Sequence, residues 1–177
     1  EDLERLRERV RPEYHPDLSG AMYISCKNKD VDRLNVKRLN EVNSQLYTFE
    51  AVNIHPIIKN FQPKIDNKGF VMGSPFRQTL MLKIGARIML TYNIDTLDCL
   101  TNGTRGELVA FYKNASGTVV KMMIRFDAKH QGEQRREADT KLTNLYPGCT
   151  AIERVSFQYS LAKRSTAASN TAKVVQF

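Results

Sequence analysis

Four short apolar runs succeed one another between Thr79 and Phe126: TLMLK (79–83), RIMLTY (87–92), ELVAFY (107–112) and VVKMMIRF (119–126). Each has strand length, is bounded by turn residues and carries β-branched or aromatic side chains, so all four are expected to be strands. Ile84-Gly85-Ala86 joins the first pair. Asn102-Gly103-Thr104-Arg105-Gly106 closes the longer loop before the third, and Asn-Gly marks a tight turn because both residues tolerate positive φ. Asn114-Ala115-Ser116-Gly117 precedes the fourth.

Elsewhere the pattern changes. Leu3, Leu6 and Val10 sit at helical spacing among charges, so residues 2–10 read as an amphipathic helix that Arg11-Pro12 ends. AMYIS (21–25) suits a buried strand. Asn28 then stands as an expected N-cap, with Asp30 and Asp32 in the first turn and Val31, Leu34, Leu39, Val42 and Leu46 at helical intervals. Residues 52–78 hold Pro56, Pro63, Pro75, Gly69 and Gly73 and read as a long loop with one short strand. HQGEQRREADTK (130–141) reads as an exposed loop, AIERVSFQYS (151–160) as a half-buried strand from Val155, AKRSTAASNTAK (162–173) as a polar linker, and KVVQF as a last strand.

The chain of 177 residues has room for one domain and a small appendage. Its net charge of +8 favours polyanionic partners, because each phosphate neutralised by lysine or arginine releases condensed counterions. Cys26, Cys99 and Cys149 are too scattered for a metal site, as are His15, His55 and His130, and reduced thiols are expected. G-x-x-x-x-G-K-[ST], G-x-S-x-G and H-E-x-x-H are all absent, so no phosphate cradle, nucleophile elbow or zinc helix is present. Asp95 and Asp98 read as a solvated acidic pair in a turn. Tyr47, Phe49 and Tyr92 are expected to be buried in sheet in preference to stacking on bases, and Lys163-Arg164 to be solvated.

Four stretches carry a resemblance: YISCKNKDVDRLNVKRLNEV (23–42), LMLKIGARIMLTYNID (80–95), CLTNGTRGELVAF (99–111), and the Met122–Asp127 strand followed by Tyr146-Pro147-Gly148-Cys149-Thr150 and Ile152–Phe157. In this order they resemble the Pif-family DNA helicases of superfamily 1B, in the variant close to Helitron helicases. The resemblance implies a mixed α/β fragment. Residues 1–110 would be the first part of the second RecA-like motor domain, 111–170 an inserted SH3-like β-barrel, and 171–177 the start of the return strand. It also implies an ATP-dependent 5′–3′ DNA helicase as the intact parent, serving DNA repair and recombination inside the cell, in the nucleus or mitochondrion of a eukaryote. ATP and magnesium would be held by other parts of that parent. This chain would contribute grip on single-stranded DNA and pair with the remaining helicase domains, without autonomous ATPase activity.

Mapped onto matching positions, the resemblance assigns nucleic-acid contacts to Asn28, Lys29, Asn35, Lys83, Asn102, Gly103, Thr104 and Arg105. Each also has a structural alternative: Asn28 as helix cap, Asn35 as a buried anchor, Asn102-Gly103 as turn former, Lys83 as a solvated strand end. A non-catalytic protein-interaction module built on the small barrel is the alternative function.

Overall fold

The computed structural model describes residues 25–161 and 171–177, together with Glu4. The helix expected over 2–10, the AMYIS strand and Lys163-Arg164 fall outside the described residues, Glu4 and Ser25 excepted. Contacts divide the chain into two compact units, Glu1–Glu41 and Val42–Phe177.

In the first unit, helix α1 spans Asn28–Glu41. Its first-turn amides, Asp30 N at 3.0 Å and Val31 N at 3.3 Å, both reach the Lys27 carbonyl. Lys27 is therefore the capping position and Asn28 already lies inside the first turn, one residue later than expected. Asp30 near the start and Arg38 near the end complement the helix dipole.

The helix stops before Leu46, which the periodicity had assigned to it. Leu46-Tyr47-Thr48-Phe49-Glu50 is instead strand β1 (Leu46–Glu50), paired antiparallel with β3 (Thr79–Lys83) from Leu46↔Lys83 to Glu50↔Thr79. The cause is the two-residue alternation of Tyr47 and Phe49, which turns both rings to the core. Spacings of four are shared by helix and strand patterns, so Val42 and Leu46 did not discriminate.

Two further sheets complete the second unit. Strands β2 (Val52–Ile54), β9 (Thr171–Gln176) and β8 (Val155–Ser160) form one, in the order β2-β9-β8. Strands β4 (Arg87–Met89), β5 (Arg105–Lys113), β6 (Val119–Phe126) and β7 (Thr150–Glu153) form the other, in sequence order. Every pairing among the described strands is antiparallel. Together with α1 and two short helices they make a mixed α/β fold. β5 runs unbroken through residues 110 and 111, with β4 paired to its first half and β6 along its length.

The four-stranded sheet is apolar on both faces. Leu108, Met122, Ile124 and Ile152 pack with Phe49, Leu100 and Phe111 on one side, and Met123 packs with Leu142 and Cys149 on the other. A register shift between Leu108 and Ala110 places Val109 opposite no partner and lets both faces fill. The second sheet closes over Val71, Phe76, Tyr159 and Val174. Val71 arrives there from the proline-rich stretch, whose turn is tied by Asp66 Oδ1 accepting from Lys68 N at 2.8 Å and Phe70 N at 2.9 Å.

Residues 130–141 are not an open loop. They carry helix α2 (Glu133–Ala138) and the start of α3 (Thr140–Leu145). Only Leu142 of these twelve helical residues is buried, so no apolar periodicity announced them. Asp139 caps α3 by accepting from Leu142 N at 3.1 Å and pairs with Lys121 at 3.2 Å. Lys121 also meets Glu153 at 3.2 Å; burial works against its charge, but hydrogen bonds to the two carboxylates hold its pKa above the ordinary value.

Three carboxyls have lowered pKa values: Asp66 by the Phe70 amide, Asp127 by the Arg87 guanidinium, and Asp139 by the Leu142 amide and then Lys121. A depressed folded-state pKa stabilises the fold above the unfolded value and loses that contribution as pH falls through the folded one. The melting temperature is therefore expected to hold from pH 6 down to about 4 and then to drop steeply. Asp139→Asn should flatten the drop in a series of thermal melts against pH.

Candidate nucleic-acid interface

The candidate residues fall into two groups that belong to different units. In the first, Asn28, Lys29 and Asn35 on α1 are all solvent-exposed. Asn35 is thus not the buried anchor that was one of its alternatives. The first turn offers the positive end of a helix dipole beside the Lys29 ammonium, a setting that attracts anions.

In the second unit the loop between β4 and β5 is a closed, internally bonded turn. Leu90 N reaches the Thr104 carbonyl at 2.9 Å, and Gly103 N returns to the Leu90 carbonyl at 2.8 Å. Asn102 N donates to Asn93 Oδ1 at 2.8 Å. Thr104 Oγ1 donates to the Cys99 carbonyl at 3.2 Å while accepting from Thr101 N at 3.2 Å. Leu100, with 0% exposure, pins the loop to the core. Gly103 is needed for its φ of +92°, since a Cβ there would meet nothing within 4 Å.

This bonding decides what the turn can present. The backbone amides of Asn102, Gly103 and Thr104 point into the loop, and the Thr104 hydroxyl does the same, so they position the turn and do not form an outward phosphate cradle. The exposed side chains of Asn102 and Arg105 remain on the outside. Lys83 is half-buried, and its Nζ donates to the Val42 carbonyl at 2.9 Å, so the solvated strand end expected for it is not what the fold contains. Tyr47 packs against Phe111 with centroids 4.5 Å apart, and Tyr92 meets Phe76 at 5.6 Å and Phe157 at 6.0 Å. These rings and buried Phe49 are core residues, as expected.

Two residues essential to this loop were not legible as such. Asn93 supplies the acceptor that holds Asn102. Asp98, read as solvated, is 2% exposed. Its Oδ1 accepts from Gln134 N at 2.8 Å and its Oδ2 from Arg135 N at 3.2 Å, while its carbonyl takes Gly132 N at 2.8 Å. The first turn of α2 has no side-chain cap of its own; Asp98 supplies one from across the fold.

Arg87 donates to Asp127 through two bonds of 2.8 and 2.6 Å, and Glu107 sits 4.0 Å from Arg125 on the neighbouring strands. No phosphate-binding loop occurs in the sequence, and among the described residues no three His, Cys, Asp or Glu side chains converge as a metal site.

Residues 61–111, from the proline-rich stretch through most of β5, match the family described as DNA helicase Pif1, 2B domain. A 93-residue stretch is 34% identical to the ATP-dependent DNA helicase PIF1 of Danio rerio, covering 52% of this chain and 13% of that protein. Over 97 residues it is 33% identical to the Homo sapiens protein of the same name, covering 55% of this chain and 14% of that one. The fold is like that of a crystal structure of Pif1 helicase from Candida albicans, at a TM-score of 0.58 and 16% identity, over 99% of this chain and 36% of that chain. A double mutant of a Bacteroides Pif1 helicase superposes at 0.52 and 18% identity, over 88% and 28%. Over residues 61–111 the chain is similar to the Pif1 2B domain, and it spans about one seventh of the curated relatives it matches.

Proposed function

We propose that this chain is a strand-gripping part of an ATP-driven DNA helicase. The observation that carries the reading is the match to the Pif1 2B domain over residues 61–111, which contains the rigid turn that holds Asn102 and Arg105 outward. Asn28, Lys29 and Asn35 on α1 would be the strand contacts of the first unit. Lys83, Gly103 and Thr104 would set the backbone that presents them. In this reading the chain combines motor-domain structure with an SH3-like insertion and a return over 171–177, and the boundary expected at 110/111 shifts because β5 runs through it. Fuel binding, 5′–3′ polarity and the coupling of nucleotide state to movement belong to the rest of a parent protein with ATP and magnesium.

The +8 charge supports the same reading, because contacts made through phosphates register as counterion release. The test is fluorescence anisotropy of a single-stranded oligonucleotide with the purified chain. With three to five phosphates neutralised, a fourfold rise in salt should weaken binding about ten- to a hundredfold. Arg105→Ala should reduce the slope of log affinity against log salt by about 0.7. Salt-independent binding, or none at about 20 mM salt, would remove the proposal.

A further inference from the structure

On the second unit, where Asp98 of the loop between β4 and β5 docks on α2, a hollow of about 470 Å³ is lined by Arg125 and Phe126 at the end of β6, Ala128 and Lys129 beyond it, Glu133 and Arg136 of α2, and Gly148. Arg136 fixes the positive charge there. Its Nη1 donates to the Gln131 carbonyl and to Thr150 Oγ1, both at 2.7 Å, and its Nη2 to the Lys129 carbonyl. All three acceptors are neutral, so the guanidinium is held in place without a carboxylate against it. Arg125 has a carboxylate, Glu107, only at 4.0 Å, and its side chain is 55% exposed. Lys129 is exposed on the rim. Three cations thus share the hollow with a single lining carboxylate, Glu133.

We propose that this hollow holds a backbone phosphate of a nucleic-acid strand, through residues other than those of the Asn102–Arg105 turn. The proposal rests on the strand-gripping reading above. Planar guanidinium groups match phosphate oxygens in a forked geometry, and one anchored arginine beside two exposed cations pre-forms half of such a clamp. Gly148 and Ala128 line it with little side-chain bulk, which leaves room for a sugar-phosphate chain beside the guanidinium.

The measurement is salt-dependent binding of a single-stranded oligonucleotide to the whole chain, compared with the Arg125→Gln/Lys129→Gln double variant. Both residues are exposed, so the fold should survive; unchanged melting temperature confirms it. Loss of two phosphate contacts should weaken binding about tenfold near 50 mM salt and lower the slope by about 1.4. Lys129→Glu alone should weaken binding further than Lys129→Gln. If the double variant binds like the parent while Arg105→Ala binds weakly, this site is overturned and the strand-gripping reading stands. If the parent chain binds no strand, both fall. Inorganic pyrophosphate is the second arm: its binding, lost in the double variant while strand affinity stays unchanged, would reassign the hollow to a free anion and overturn the strand assignment.

Discussion

Gly106→Ala is expected to destabilise the second unit by about 3 kcal/mol, near the upper end of what overpacking usually costs. Gly106 lies in β5 between two partners, Ile88 on β4 and Phe126 on β6. An added Cβ would stand 2.7 Å from the Arg125 carbonyl oxygen, 3.1 Å from Phe126 Cα and 3.0 Å from Ile124 Cγ2. Two of these atoms are backbone of a paired strand, so relief requires opening the β5–β6 ladder over the main core. Gly103→Ala is the comparison. Its Cβ meets nothing within 4 Å, and only the φ of +92° is penalised, which costs about 1 kcal/mol. Urea denaturation should show the midpoint falling about three times as far for Gly106→Ala, at an unchanged slope. Equal effects would mean that β5 and β6 do not pair in this register.

Asp98→Ala is expected to release α2 and α3 from the sheet at a cost of about 2–3 kcal/mol, because two partly buried amides lose their acceptor. Asp98→Asn keeps one acceptor oxygen and should lose about half as much. The consequence is local as well as global. Met123, Leu142 and Cys149 form the small core beneath these helices, and Cys149 is 1% exposed. Burial pushes its thiol pKa above the ordinary value, so it is slow to ionise as well as covered. Cys26 and Cys99 are exposed. Under native conditions a thiol reagent should label those two in the parent chain and reach Cys149 rapidly only in Asp98→Ala. Mass spectrometry of the labelled peptides measures this, and slow labelling of Cys149 in the variant would show that the cap is dispensable.

Both predictions concern features that differ in how far the sequence announced them. The run TLMLK was read as a strand over 79–83 and VVKMMIRF over 119–126, and those are the bounds of β3 and β6. In β6 the apolar content is continuous because core covers both faces, and such a run is visible without knowing the partner. KVVQF was legible as a short β-branched run, with Val174 at 0% exposure. By contrast, β1 shared its spacing with a helix, and α2 and α3 had no apolar stripe at all. The helix-forming signal for α2 is a carboxylate 35 residues away from its first residue, Glu133, and a local pattern cannot contain it.

The candidate interface divides along the same line. Asn102-Gly103 announced a tight turn, and the turn is there. Which way its amides face was decided by Leu90, Asn93 and Thr101, whose carbonyl or side-chain amide oxygens take the donors inward.

The sequence by itself determined the strand segments, the glycine turns, the family resemblance and the lack of a phosphate-binding loop motif, because each of these is written in residues close together along the chain. Only the tertiary structure decided which strands pair, that Asp98 is a buried cap, that the turn's amides are satisfied internally, and that Arg125, Lys129 and Arg136 share one hollow. Hydrogen-bond satisfaction and charge convergence depend on distances between segments remote in sequence, and those distances exist only once the sheets have closed on their cores.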